Sequence, residues 1–153
     1  MSTAQAIIRK WFRISPSQRR LIIESLFLLA ITRCVIIVLP FSAVSRLASR
    51  QISKPSSISA DTRAALLRQV RTAVLVCAPR VPWRAKCFEQ GLTAHLMLRR
   101  RGIPTVLCYG ALRDLERGLL AHVWVLDGDH YVIGGELAPK YRVLMTFPSN
   151  AVI

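Results

Sequence analysis

The hydrophobic period of this chain changes once, at "LRRRGIP", Leu98 to Pro104, and no other feature limits its fold as strongly. Upstream, apolar residues recur at helical spacing, as in Leu66, Leu67, Val70, Val74 and Cys77. Downstream, "TVLCYGAL", "LLAHVWVLD", "DHYVIGG" and "YRVLMTF" read as four short strands. The three arginines suit a helix C-terminus, Gly102 supplies a left-handed cap, and Pro104 prevents continuation. Asp-Gly between the second and third strands predicts a tight hairpin. Helices first and an antiparallel sheet second is an α+β pattern. The 153 residues suffice for a modest core. A polar linker, "RQISKPSSIS", divides the chain into a basic helical region, 1–54, and a core region, 55–153.

The N-terminal region predicts a helix through "AQAIIRKWF" and a long one through "SPSQRRLIIESLFLLAITRCVIIVLP". Ser15 is placed to cap the second, Pro16 suits its first position, Gln18 completes a Ser-x-x-Gln capping box, and Pro40 ends it. Leu21–Leu39 is nearly long enough to span a bilayer. Arg33 argues against a span, because a central charge costs about 2.5 to 3.5 kcal/mol on the insertion scale. A signal peptide fits poorly: the run is long, charged within, and has no clear small-x-small cleavage site. Two readings stay open. The helix lies in the core or on a membrane surface, where Arg9, Lys10, Arg13, Arg19, Arg20, Arg46 and Arg50 add attraction to anionic lipid. Alternatively, these cations form a solvated face over an apolar one. A second capped helix is expected from Ser59 to Cys77.

Lys and Arg number 22 against 8 Asp and Glu, a net charge of +14. Nine of the cations and a single acid, Glu24, fall before Asp61. Such a protein is drawn to anionic partners. Nucleic acid is disfavoured, since no zinc-finger spacing, basic region with heptads or aromatic-bearing sheet is present. Cys34, Cys77, Cys87 and Cys108 form no Cys-x-x-Cys pair, so no metal site is expected. Cys34 and Cys77 sit in apolar helical patterns as reduced cysteines do, and the usage suits a reducing cytosol.

Cys87 differs from the other three. "PWRAKCFEQGLTAHLMLRRRG" puts it at a helix N-terminus, where free N–H groups and the macrodipole favour a thiolate and can donate to an oxyanion. Phe88, Leu92 and Leu96 anchor that helix, and Gly91 permits close packing. His95 lies eight residues on, about 12 Å along the axis, too far to act as base. His122, on "AHVWVLD", shares a strand face with Trp124 and Leu126, and a central strand against the Cys87 helix could present it to the thiol. His130 belongs to the hairpin tip. Asp127 is about 16 Å from His122 along the strand and points the other way. Asp127 and Asp129 are better explained as turn residues. Glu136 is the nearest remaining acid. With a Gly128-Asp129 turn, His122 pairs with Gly135, and a bulge at Gly134-Gly135 could swing Glu136 onto its face. A backbone carbonyl or water is the alternative partner for the ring.

The segments "WRAKCFEQGLTAHLMLRRRGIPTVLCYGAL" and "LLAHVWVLDGDHYVIGG" resemble the transglutaminase-like branch of the papain-like cysteine hydrolases, most closely the lasso-peptide leader peptidases. "SLFLLAITRCVIIVLPF" resembles the apolar helix ahead of their catalytic part. The resemblance implies removal of the leader from a ribosomal precursor peptide, with Cys87 as nucleophile and His122 as base and then acid. No cofactor is expected. The resemblance also implies a separate leader-recognition protein and a lasso cyclase as partner. The cysteine usage, in turn, points to a cytoplasmic location, and the basic flanks of the apolar helix extend it to peripheral contact at the inner membrane face. The family's third residue is an Asp on the strand after the histidine, where this chain reads "YVIGGE". Glu136, Asp127, Asp129 and no acid at all stay open for that place. The same chemistry would serve acyl transfer to an amine, and a basic adaptor without catalysis is the reading from a different class.

Overall fold

A computed structural model describes residues 14–50, 52 and 55–149. Helix α1 spans Pro16–Val38, α2 Phe41–Ser49, α3 Ala60–Cys77 and α4 Cys87–Arg99. The strands are β1 Val106–Asp114, β2 Gly118–Asp127, β3 His130–Ile133 and β4 Arg142–Phe147. All pairs are antiparallel, in the order β3-β2-β1-β4. The α+β architecture is therefore as the period change predicts. The helix expected in "AQAIIRKWF" falls outside the described residues.

Helix boundaries follow local chemistry. Ser15 Oγ accepts from the Gln18 N–H at 3.2 Å and Ser59 Oγ from the Thr62 N–H at 3.3 Å. The reciprocal half of the expected Ser15 capping box does not form, because Gln18 Nε2 donates to the Gln69 carbonyl instead. Gly102, at φ +74°, ends the α4 turn, and its carbonyl accepts from the Ser56 N–H, fastening the linker. Helix α2 was not expected. It is nine residues long and buries only Val44 and Ala48, too few positions to establish a period.

One core joins the helices to the sheet. Leu21, Leu28 and Leu29 of α1, Val70 and Val74 of α3, and Leu92, Met97 and Leu98 of α4 pack with Leu107, Val123, Val125 and Ile133. Arg33, the charge that argued against a membrane span, donates to Glu89 on α4 at 3.0 Å. A smaller cluster, Cys108, Trp124, Leu126 and Ala138, covers the other face of the sheet. Gly91 sets the spacing of α4 on β2: a Cβ there would lie 2.7 Å from Val123 Cγ1.

His95 is a core residue. It is fully buried, its Nε2 is 2.9 Å from the Ala48 carbonyl, and Thr105 Oγ1 is 2.9 Å from Nδ1. A carbonyl only accepts, so Nε2 carries the hydrogen and Thr105 donates to Nδ1. Burial lowers its pKa to about 4, with the Ala48 acceptor opposing and Arg99 adding to the shift. The unfolded chain therefore takes up a proton near pH 6.5 that the folded chain refuses until about pH 4. Stability from this residue is complete above pH 6.5 and is lost as pH falls toward 4. Denaturant titrations at pH 7.5 and pH 5 should differ by about 2 kcal/mol through this residue, and a His95→Gln variant should show correspondingly less pH dependence.

Candidate active site

Cys87 is the first residue of α4, half-buried, with Lys86 at the cap position. Lysine offers no acceptor, so the cap is made from inside the helix. Glu89 Oε2 accepts from the Lys86 N–H at 3.1 Å, and Glu89 Oε1 takes the Arg33 guanidinium. Only 4% of Glu89 is exposed, so α1 and the start of α4 are tied by a carboxylate that water scarcely reaches. The first N–H groups of α4 have no acceptor within the helix and create positive potential around the thiol. The exposed Arg84 and Lys86 add charge beside it.

His122 lies on β2, 8% exposed, opposite Gly110 of β1. The alternation places it with Trp124 and Leu126, as expected, but that face is turned away from α4. Val123 and Val125 meet the helix instead. His122 reaches the thiol's surroundings at the strand edge, because the β2–β3 pairing stops at Val125–Ile133. There Cys87, Gln90, His122, Val123, Gly134 and Glu136 line one cleft of about 220 Å³. Its neighbour, about 440 Å³, is lined by Trp83, Arg84 and Lys86 and shares Leu75 and Gln90 with it. Together they extend the groove past Cys87.

The His122 ring is held on three sides. Its centroid lies 6.0 Å from that of Trp124 and 5.1 Å from that of Tyr141. Its Nε2 is 2.8 Å from the Gly134 carbonyl. Nε2 therefore carries the hydrogen, and Nδ1 is the basic nitrogen of the neutral ring. Two glycines make this possible. A Cβ on Gly110 would lie 2.7 Å from Trp124 Cη2. Gly134 has φ +77°, and a Cβ there would lie 2.6 Å from the Val123 carbonyl oxygen.

Asp127 and Asp129 flank and form the expected turn, but the bulge and Glu136 are placed differently from the sequence expectation. The bulge in the β2–β3 pair falls at Val132, between Tyr131 and Ile133, and not at Gly134-Gly135. His122 is not paired with Gly135, because the ladder ends before it. Glu136 is exposed and accepts from Arg71 Nη2 at 2.6 Å. Its own N–H above all, then Arg71 and the nearby His122, hold its carboxyl below the usual range, with desolvation opposing. Asp127 accepts from Arg63 Nε at 2.8 Å, and Asp129 is exposed in the Gly128-Asp129 turn. The ring partner missed at residue level is a main-chain oxygen.

All four cysteines are free. Burial pushes the Cys108 thiol up to about 11. Burial also raises Cys77, against the opposing effects of Ser25 and Arg80. Both are held as neutral thiols. Cys34 is exposed on α1, so it is not the core hydrophobe its pattern suggested. Among the described residues no group of three or more His, Cys, Asp or Glu could hold a metal ion.

A thiol at a helix start and an imidazole on the next layer, lining one cleft, form a layout suited to acyl transfer through sulfur. The family model described as the transglutaminase-like superfamily matches residues 26–146, from α1 into β4. The chain belongs to that superfamily, whose members are generally cysteine-dependent enzymes of protease or acyltransferase type. No curated protein and no solved structure matches it.

Proposed function

We propose that this chain is a cysteine peptidase that removes the leader from a ribosomally made precursor peptide in lasso-peptide maturation. The observation that carries the catalytic part is the cleft shared by Cys87 and His122. The resemblance of "WRAKCFEQGL" and "LLAHVWVLDGDHYVIGG" to the leader peptidases supports the substrate class. In this reading His122 Nδ1 takes the Cys87 proton as sulfur attacks the scissile carbonyl carbon. N–H groups at the start of α4 receive the oxyanion. Collapse of the tetrahedral intermediate breaks the C–N bond, and His122 passes the proton to the leaving amine. Water, activated by the same nitrogen, then attacks the thioester, releasing the leader carboxylate and restoring the thiol. A separate leader-recognition protein delivers the precursor, and a lasso cyclase consumes the core peptide.

The experiment is to incubate the protein with a precursor peptide, with and without the recognition protein, and weigh the products. Hydrolysis gives two fragments whose masses sum to the precursor plus one water. A product joined to an added amine would instead assign acyl transfer, and an unchanged precursor in every mixture would contradict both.

In this proposal the Gly134 carbonyl orients the ring, and Glu136 acts only through its charge across the cleft. Glu136→Ala should therefore lower kcat/KM by no more than about tenfold, whereas loss of an essential orienting acid can cost about 10⁴-fold. Steady-state rates on one precursor peptide separate the two.

A further inference from the structure

The outward face of α1 is apolar from Ile23 to its C-terminal end. Ile23, Phe27, Ile37 and Val38 are 58%, 67%, 65% and 75% exposed. At about 100° per residue they fall opposite the buried Leu21, Ser25, Leu28, Leu29 and Thr32. The stripe from Ile23 to Val38 runs about 22 Å. Its two neighbouring charges are already engaged: Glu24 with Arg100 and Arg101, and Arg33 with Glu89. Scattered surface hydrophobics need no explanation, but a continuous stripe of this length marks an interaction face.

Charge identifies the occupant. Exposed Arg20 stands before the stripe and exposed Arg46 and Arg50 after it. The sequence ahead of α1 adds Arg9, Lys10, Trp11 and Arg13. The one acid before Asp61 is the paired Glu24. A second copy of the chain would bring its own +14 charge against these cations and be repelled. An anionic bilayer offers both complements, phosphates for the guanidinium groups and an acyl boundary for the apolar side chains.

We propose that α1 rests along an anionic membrane surface, inserting Ile23, Phe27, Ile37 and Val38 while Arg20, Arg46 and Arg50 meet lipid phosphates. The helix lies on the bilayer and does not cross it. Its inner face stays in the core, with both ion-pair groups intact.

The test is co-sedimentation of the full chain with phosphatidylcholine vesicles, with or without phosphatidylglycerol. Binding should be at least about tenfold tighter with the anionic lipid and should weaken as salt rises. A Phe27→Ser/Ile37→Ser/Val38→Ser variant replaces exposed side chains only, so its circular dichroism should match the parent. Its vesicle binding should fall at least about tenfold. In the unaltered protein, alkylation of Cys34, which lies within the stripe, should slow when anionic vesicles are added. Absence of vesicle binding would overturn the proposal, as would equal binding to neutral vesicles or binding that the triple variant retains. Self-association that the triple variant abolishes, without vesicle binding, would assign the stripe to a second copy instead. No outcome depends on peptidase activity, so the proposal fails or stands apart from the catalytic reading.

Discussion

Cys87→Ala should fold as the parent chain does and lose at least about 10⁴-fold in cleavage rate, in line with removal of a catalytic nucleophile. Folding should survive because Cys87 is half-buried at the first position of α4 and contributes little to the core. Alanine is also the best helix former. Activity should not survive, because no other thiol can substitute. Cys77 and Cys108 are buried and held neutral, and Cys34 lies on α1, outside the cleft lining. Thermal unfolding and product analysis on the same sample check both halves. A variant that cleaves at more than about one hundredth of the parent rate would remove Cys87 from the mechanism, because essential nucleophiles cost far more than that.

Arg33→Met carries the largest expected effect on stability. Glu89 loses its one cation partner among the described residues yet stays buried, and an uncompensated buried carboxylate typically costs 3–5 kcal/mol. Arg33 is itself 41% exposed, so water replaces part of what is lost. The expected destabilisation is about 2 to 3 kcal/mol. Since Glu89 also holds the Lys86 N–H beside Cys87, kcat should fall about tenfold as the helix start loosens. Adding Glu89→Gln should restore most of the stability, because an amide still accepts from Lys86 and leaves no charge behind. Denaturant titration of both variants reads this out. No rescue in the double variant would mean that Arg33 acts by packing alone.

These expectations show where the sequence was informative. The helix-then-sheet order was legible because Gly102 and Pro104 mark a change in period, and the Asp-Gly hairpin because its turn needs φ above zero at Gly128. Cys87 at a helix start and His122 on a strand could be read residue by residue, and the two do line one cleft. The strand face was not legible. Both faces of "HVWVL" are apolar enough to be core, so periodicity could not say that Val123 and Val125 would take α4. A backbone carbonyl was one of the partners left open for the ring, but which residue supplies it was out of reach for another reason. A carbonyl belongs to every residue, and only the φ of Gly134 puts this one against Nε2. The signal was the glycine pair itself, read as room for Glu136 when it served to turn the main chain. The Arg33–Glu89 tie joins residues 56 apart, beyond any local pattern. What local sequence could report was a charge out of place in an apolar helix, which argued against a span without naming the partner.

The central claim is that a peptide acyl group passes through Cys87. The most direct measurement is intact-mass analysis of the protein, quenched in acid during turnover of a precursor peptide, followed by mapping of the adduct. The account predicts an added mass equal to the leader less one water, on Cys87 and absent from Cys87→Ala. Cleavage in which turnover never acylates the protein, or acylates a different cysteine, would contradict it.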